Sequence, residues 1–328
     1  MLYAGHSRDG HTLMSRLCCA ALPSVSGSFS TASANPCDIN ATWPASTCDI
    51  GNKLRPPRFI VQQVYEHGAG NPIVARLALQ TFDLVQWLDA DKKRRENIFA
   101  AYLELHRRLL SCFEFQVRLV AARDKTLKDA EEKICRGEYT VPFVISLQAE
   151  VEGFLLASKQ YLRELARTVN LLFDAGLDTE AKVFWAQNGE ISDVARWAMD
   201  RFGPDHHFSK MLISESEWVS ELVKKRNAVE HPGGRSGALI TENFQANEAG
   251  FTPPSWQRSG DNCINEKSDI YCDLDVLMSN LLTFAEDLLV SAIQLNPVIP
   301  MVIFAEIPVQ QRDPNSPVRI RPVLDLPR

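Results

Sequence analysis

Apolar residues recur every three to four positions through several long stretches of the chain, which is the spacing of an amphipathic helix. These stretches run over residues 72–88, 98–133, 142–173 and 274–295, and a shorter one covers residues 191–202. The pattern therefore predicts a mainly α-helical fold with several long helices.

Glycine and proline residues indicate where further helices begin and end. Gly176 follows the third long stretch and is predicted to be its left-handed C-terminal cap. Another helix is predicted to start near Ser214, because Ser214 and Glu217 have the spacing of a capping box. It should stop at Pro232-Gly233-Gly234, a strong terminator of helices.

Strand-like patterns are short and lie in the C-terminal part of the chain. Residues 238–244 alternate between apolar and polar positions, whereas residues 251–264 have the composition of a loop. The tail contains two β-prone runs on either side of Asp313-Pro314-Asn315-Ser316-Pro317, which favours a turn. The sequence thus predicts a helical bundle with a small β-hairpin addition.

The first 55 residues show no sustained period and are rich in small and turn-forming residues, so they should not bury enough surface to fold. The run Leu17–Leu22 is too short for the apolar part of a signal peptide. Either a disordered leader or a start codon placed too far upstream would give such a segment. We predict four segments: a leader (1–55), an N-terminal strand and helices (56–141), a bundle core (142–296) and a C-terminal hairpin (297–328).

Composition narrows the class of protein further. Hydrophobic residues make up 45% and charged residues 23%, ordinary values for a globular protein. The net charge of −6 argues against a generally basic nucleic-acid coat, but a local basic site remains compatible with it. The most apolar window, residues 281–293, is interrupted by Glu286 and Asp287. We therefore expect a soluble, cytoplasmic protein that does not insert into a membrane.

Metal-binding patterns are weak in this sequence. The eight cysteines include no CxxC pair, so neither a zinc site nor a disulfide scaffold is expected. Asp205, His206 and His207 could hold a metal, although adjacent histidines on a loop are more typical of a polar turn. Likewise, the basic run 92–95 could bind phosphate but is more typical of a solvated helix junction. We expect no metal and no cofactor.

The strongest candidate site is Arg226-Asn227-Ala228-Val229-Glu230-His231, at the end of the Ser214 helix. Asn227 and His231 lie four residues apart, as do Arg226 and Glu230, so each pair shares a face of the helix. An arginine is a fork-shaped donor for phosphate, and an imidazole can take up or release a proton near neutral pH. Lys225 and, after the helix, Arg235 add further positive charge.

These groups suit cleavage of RNA without a metal. The ribose 2′-hydroxyl must lose a proton and attack the adjacent phosphate, and the leaving 5′-oxygen must gain one. Arginine can stabilise the growing phosphoryl charge, and asparagine can orient the phosphate or the imidazole. Because one histidine cannot easily serve both ends, a twofold dimer with two histidines is expected.

A purely structural role explains the same spacing. Arg226 and Glu230 could form a surface ion pair worth a few tenths of a kcal/mol. His231 could bond to the last carbonyls of the helix.

A helical bundle whose penultimate long helix ends in Arg226-Asn227, a short spacer and His231 resembles the HEPN superfamily (higher eukaryotes and prokaryotes nucleotide-binding). The resemblance covers roughly residues 142–295. It implies a metal-independent endoribonuclease that works as a homodimer, in toxin–antitoxin or phage-defence systems, with Arg226, Asn227 and His231 catalytic. Lys225, Glu230 and Arg235 would contact the substrate. The implied partners are RNA or a nucleotide, a second copy, and an antitoxin or other protein. Other members of the superfamily have lost catalysis and bind nucleotides or partner proteins.

Overall fold

Helices make up most of the chain that the structure describes. The computed structural model describes residues 66–185, 190–248, 250–260 and 267–324. The predicted leader and the predicted N-terminal strand, which corresponds to the β-prone run Phe59–Val61, lie outside these residues. The chain separates into two compact units at Glu66, and the second unit extends from His67 to Arg328. The predicted segments from residue 67 onward therefore belong to a single packing unit, and the mainly α-helical class is confirmed.

The helices follow the predicted order but differ at several ends. They are α1 (Pro72–Val74), a π-helical turn (Ala75–Gln80), α2 (Thr81–Leu84), a 3-10 turn (Val85–Trp87), α3 (Lys92–Cys135), α4 (Leu147–Phe173), a 3-10 turn (Ala181–Phe184), α5 (Asp193–Phe202), α6 (His207–Glu230), α7 (Ile270–Leu295) and a 3-10 turn (Val309–Gln311).

The first helical segment begins as predicted. The Asn71 side chain caps it by accepting from the Ile73 amide at 2.9 Å, and Pro72 takes the first helical position. From Ala75 to Gln80 the segment widens into a π-helical turn, which the apolar spacing does not predict.

The predicted end of α4 at Phe173 is confirmed, but its predicted start and its predicted cap residue are wrong. The helix starts at Leu147 rather than Pro142, because Val144 bonds through its backbone to the Asn243 side chain and stays outside the helix. At the other end the left-handed cap is Asp174 (φ 52°) rather than Gly176, which lies two residues later. An aspartate tolerates this conformation better than most residues.

A residue of the basic run at the start of α3 connects α3 to the C-terminal end of α4. Arg94 donates to the Leu172 carbonyl at 3.2 Å and pairs with Asp174 at 3.1 Å, at the C-terminal end of α4. A cation at this helix end stabilises the last carbonyls. The structure thus favours the junction over a phosphate-binding patch.

Helix α6 starts seven residues earlier than predicted. His206 is its N-cap and accepts from the Phe208 amide at 3.2 Å, and His207 is the first helical residue. Ser214 lies inside the helix, so the predicted capping box is wrong. Phe208 and Leu212 are buried and extend the apolar face backward, which the predicted start at Ser214 missed.

The long helices pack around α7. Helix α4 contacts α3 on one side and α6 on the other, and all three contact α7. Two buried tyrosines connect them: Tyr102 of α3 donates to the Ala285 carbonyl at 2.7 Å, and Tyr161 of α4 donates to the Leu281 carbonyl at 2.8 Å. The end of α6 is therefore held against a rigid core.

Three small antiparallel sheets complete the described part of the chain. The strands are β1 (Ala238–Glu242), β2 (Gln245–Asn247), β3 (Gly250–Thr252), β4 (Ser255–Ser259), β5 (Ser268–Asp269), β6 (Val302–Glu306) and β7 (Ile320–Leu324), and the sheets have the orders β1-β4-β5, β2-β3 and β6-β7. The C-terminal hairpin β6-β7 is confirmed. The loop predicted over residues 251–264 is wrong where β4 pairs with β1 and buries Trp256 completely.

Helix α7 is long and apolar enough to cross a membrane by length and composition alone. The structure buries 72% of its most apolar window inside the protein. A buried core helix passes the same test, so the composition of α7 is accounted for by its place in the core.

Candidate functional site

The end of α6 is a compact turn set by its proline and glycines. The His231 amide donates to the Asn227 carbonyl at 2.8 Å as the last helical bond, and His231 caps the helix in a non-helical conformation. The Gly234 amide then donates to the His231 carbonyl at 3.0 Å. Gly233 has a φ of +78°, a conformation that favours glycine. The sequence thus fixes where the helix stops and where His231 lies.

Arg226 lies against the core rather than in water. Its side chain is only 12% exposed, and its Nη1 donates to Oε2 of Glu230. It lines a narrow cleft with Leu155 and Leu162 of α4. Among the residues that the structure describes, its buried Nε has no hydrogen-bond partner. One edge of the guanidinium is therefore neutralised, while the Nε edge is unsatisfied.

Glu230 is held between two cations. Lys159 of α4 donates to both carboxylate oxygens at 3.0 and 3.2 Å, in addition to the bond from Arg226. Burial raises the pKa of Glu230, but the bond from Lys159 and the charge of Arg226 outweigh it, so that the pKa is below its ordinary value. Glu230 is thus ionised at neutral pH and fixes the end of α6 to α4.

His231 and Asn227 present the accessible part of this site. The His231 side chain is 73% exposed, and its Nε2 lies 3.9 Å from Oε2 of Glu230. The Asn227 side chain is half-buried and makes no hydrogen bond within the described ranges. An exposed imidazole near a carboxylate and an arginine can exchange protons with a ligand from solvent.

Lys225 and Arg235 have different surroundings. Lys225 packs with its ammonium 5.0 Å from the centre of the Trp256 ring and 3.7 Å from Asp273, so the helix directs it to β4 and α7 instead of to Glu230. Its predicted contact with substrate receives no support from this placement. Arg235 is exposed in the turn and forms no ion pair in the described part of the chain.

Two residues that support the site have no signal in the local sequence. Lys159 lies 71 positions before Glu230, and only the packing of α4 against α6 brings them together. Arg258 of β4 donates to the Ser236 carbonyl at 3.2 Å and lies 3.5 Å from Glu221, which ties the turn after His231 to the sheet. A sequence search for polar residues in apolar helix patterns would have flagged neither.

A second polar cluster, which the sequence analysis also missed, lies in the core. Glu286 of α7 is 1% exposed and accepts from Arg76, Gln80 and Arg319. Burial raises the pKa of the neighbouring Asp287, and the charge of Arg319 offsets this only in part. The signal available in the sequence is the pair Glu286-Asp287 within an otherwise apolar helix.

The structure gives the histidine pair a role in α6. His206 caps the helix, and its ring stacks on Phe202 at 5.3 Å between centroids. Within the described ranges, no group of three or more His, Cys, Asp or Glu side chains is placed to hold a metal. The pair is accounted for as part of a helix start.

No protein-family model matches the chain, and no curated protein or solved structure is similar enough to count as a match. The residues at the end of α6 and their geometry are therefore the basis for proposing a function.

Proposed function

We propose that the chain is a metal-independent endoribonuclease with a HEPN-like helical bundle over about residues 142–296. The observation that carries this proposal is the combination at the end of α6: a half-buried Arg226 and an exposed His231 on one short segment stopped by proline. Arg226 contacts a phosphoryl oxygen, His231 transfers the proton, and Asn227 orients the group being cleaved.

The ion pair of Arg226 with Glu230 affects both the charge and the position of the guanidinium that an RNA phosphate would meet. The guanidinium has donors on more than one edge, and Glu230 occupies one of them. A phosphate bound beside His231 would therefore experience a cation whose charge is partly compensated by Glu230 and whose position is fixed by it. Lys159 also pairs with the Glu230 carboxylate, so that this carboxylate neutralises the positive charge of Arg226 less completely. Arg235, exposed in the following turn, supplies a second contact for the RNA backbone.

Two histidines complete the acid–base chemistry. One His231 removes the proton of the 2′-hydroxyl, and His231 of a second copy protonates the leaving 5′-oxygen. The products are a 2′,3′-cyclic phosphate and a free 5′-hydroxyl. This requirement is the reason for proposing that the active species is a homodimer.

The test is cleavage of a mixed RNA pool in EDTA by wild type, His231→Ala and Arg226→Ala. We expect the wild type alone to cut and to leave 2′,3′-cyclic phosphate ends, with a loss of at least about 100-fold in each variant. The matched control is Arg167→Ala, which removes an exposed arginine of α4 paired with Glu164. Equal cleavage by wild type and His231→Ala, with native circular dichroism in both, would refute the proposal.

A second candidate is a non-catalytic module that binds a nucleotide at the same helix end. The observation that favours it is the engagement of Arg226 and Lys159 by the same carboxylate, which lowers the positive charge available for a transition state. Its signature is a rise in melting temperature with nucleotide and no RNA turnover. The same rise in Arg226→Ala would exclude this candidate.

A further inference from the structure

The connection between α3 and α4 exposes an unusual row of large apolar side chains. Alternate residues from 139 to 145 face solvent, whereas Pro142 and Val144 between them are buried. This alternation is that of an extended chain with one face against the protein. The exposed residues are Tyr139 (84%), Val141 (38%), Phe143 (63%) and Ile145 (92%).

The backbone of this segment has one edge paired and one edge open. Val144 uses its amide and its carbonyl to bond the Asn243 side chain, at 3.0 and 2.8 Å. In an extended chain the groups of neighbouring residues point to opposite edges, so those of Val141 and Phe143 point away from Asn243. In the part of the chain that the structure describes, these outward groups have no hydrogen-bond partner.

Pro142 is compatible with pairing on the open edge. A proline inside a strand removes one amide donor and is tolerated where that donor would not be used. Pro142 shares its edge with Val144, on the side of Asn243, so its missing amide removes no bond from the outward edge. The segment therefore offers an uninterrupted set of donors and acceptors next to four apolar side chains.

We propose that residues 139–145 form an antiparallel β-pair with the same segment of a second copy of this chain, with the twofold axis at Pro142. In this register Val141 lies opposite Phe143 of the other copy, and Tyr139 lies opposite Ile145. On the exposed face, each cross-strand pair then joins an aromatic residue to a β-branched aliphatic one, a favourable combination. No charged residue falls opposite another within the paired span.

The exposed area also fits a second copy. The four side chains together expose on the order of 500 Å² in each protomer, so a symmetric contact that covered all of them would remove on the order of 1,000 Å², about where specific interfaces begin. An unpaired apolar edge of this size is a liability in a monomer. The inference does not rest on the proposed function, because it concerns a surface with its own readout, the mass of the assembly.

The first experiment is sedimentation equilibrium of the full chain across protein concentrations. We expect the wild type to reach twice the chain mass of 36.8 kDa. Phe143→Asp should place a carboxylate opposite Val141 twice in the symmetric pair and weaken dimerisation by at least about 100-fold. The matched control is Val309→Asp, which adds a carboxylate at another exposed valine (68%) and should leave the mass unchanged.

The second experiment tests the register. Val141→Lys and Phe143→Asp should each be monomeric alone, since each self-pair buries an unpaired charge. In a mixture, the lysine introduced at 141 lies opposite the aspartate introduced at 143, and the other pair remains apolar. We expect mixing to restore dimers. A monomeric wild type, dimers unaffected by Phe143→Asp, or a mixture that stays monomeric would each overturn the proposal, whatever the result of the RNA assay.

Discussion

The end of α6 and the middle of α7 hold similar polar side chains in opposite surroundings. At the end of α6, Arg226 is paired with Glu230, and the imidazole of His231 is 73% exposed. In the middle of α7, Glu286 is paired with two arginines at 1% exposure. The first region leaves polar atoms free for a ligand, whereas the second directs its polar atoms at one another.

The buried cluster is closed by mutual hydrogen bonds. Glu286 accepts from Gln80 at 2.7 Å and from Arg319 at 2.8 Å, and it also pairs with Arg76. The side-chain oxygen Oε1 of Gln80 accepts from the backbone amides of Arg319 and Ile320, both at 2.7 Å. The cluster therefore joins the first helical segment, α7 and the start of β7.

The π-helical turn contributes to this arrangement. Arg76 and Gln80 both lie in this turn, four residues apart, and both donate to Glu286. The comparison teaches that a buried ion pair requires all of its partners, while an exposed one can exchange a partner for a ligand.

The largest expected effect is on stability, from Glu286→Ala. This change removes the buried acceptor that Arg76, Gln80 and Arg319 share, which should cost about 3–5 kcal/mol even though Arg319 keeps Asp287 and Arg76 keeps Thr283. Urea denaturation followed by circular dichroism measures it. Glu96→Ala is the control, because Glu96 is 65% exposed and pairs with Lys92 at the surface, so it should cost less than about 1 kcal/mol. An equal loss in the free energy of unfolding for the two variants would contradict the distinction between buried and exposed ion pairs.

The next effect should come from Tyr102→Phe. Tyr102 is fully buried and donates to the Ala285 carbonyl next to Glu286, and burial holds the pKa of its hydroxyl well above the ordinary value. Removing the hydroxyl should lower the free energy of unfolding by about 1–2 kcal/mol. Tyr139→Phe is the exposed counterpart at 84% exposure, and it should change stability by less than about 0.5 kcal/mol.

A smaller effect, dependent on pH, is expected from Glu230→Gln. Because the folded pKa of Glu230 is lowered, its ion pairs stabilise the protein above the ordinary glutamate pKa of about 4.3 and are lost as the pH falls through the folded pKa. The variant should be less stable by up to about 1 kcal/mol at pH 7, and the difference should decrease as the pH falls below about 4.3. Unfolding curves from pH 7 to pH 3 measure it, and a difference that grows in acid would contradict the assignment.

The smallest effect on stability should come from Arg235→Ala. The side chain is exposed in the turn after α6, so the free energy of unfolding should stay within about 0.5 kcal/mol. If the site binds RNA, affinity should fall and its salt dependence should decrease by about one phosphate contact. Binding to a labelled RNA at several salt concentrations measures both; an unchanged salt slope would place the RNA away from this turn.

Local sequence was sufficient for the features that depend on neighbours along the chain. The long helices follow from apolar spacing, the end of α6 from Pro232 and Gly233, and the C-terminal hairpin from its turn residues. The juxtaposition of Arg226 with Glu230 also follows from helical spacing alone, because residues four apart share a face. These features depend on interactions between residues close in sequence, and local backbone preferences determine them.

Only the tertiary structure decided which polar groups meet across the fold. Lys159 reaches Glu230, Arg258 reaches the turn after α6, and Arg319 reaches Glu286, each from a distant part of the chain. The same holds for Lys225, which packing on Trp256 separates from its neighbour Arg226. Helix and strand periodicity determines which face of an element is buried, but it carries no information on what covers that face. Charge pairing and burial depend on that partner, and for this reason the sequence by itself yielded the helices and the motif, while the fold assigned each charge its surroundings.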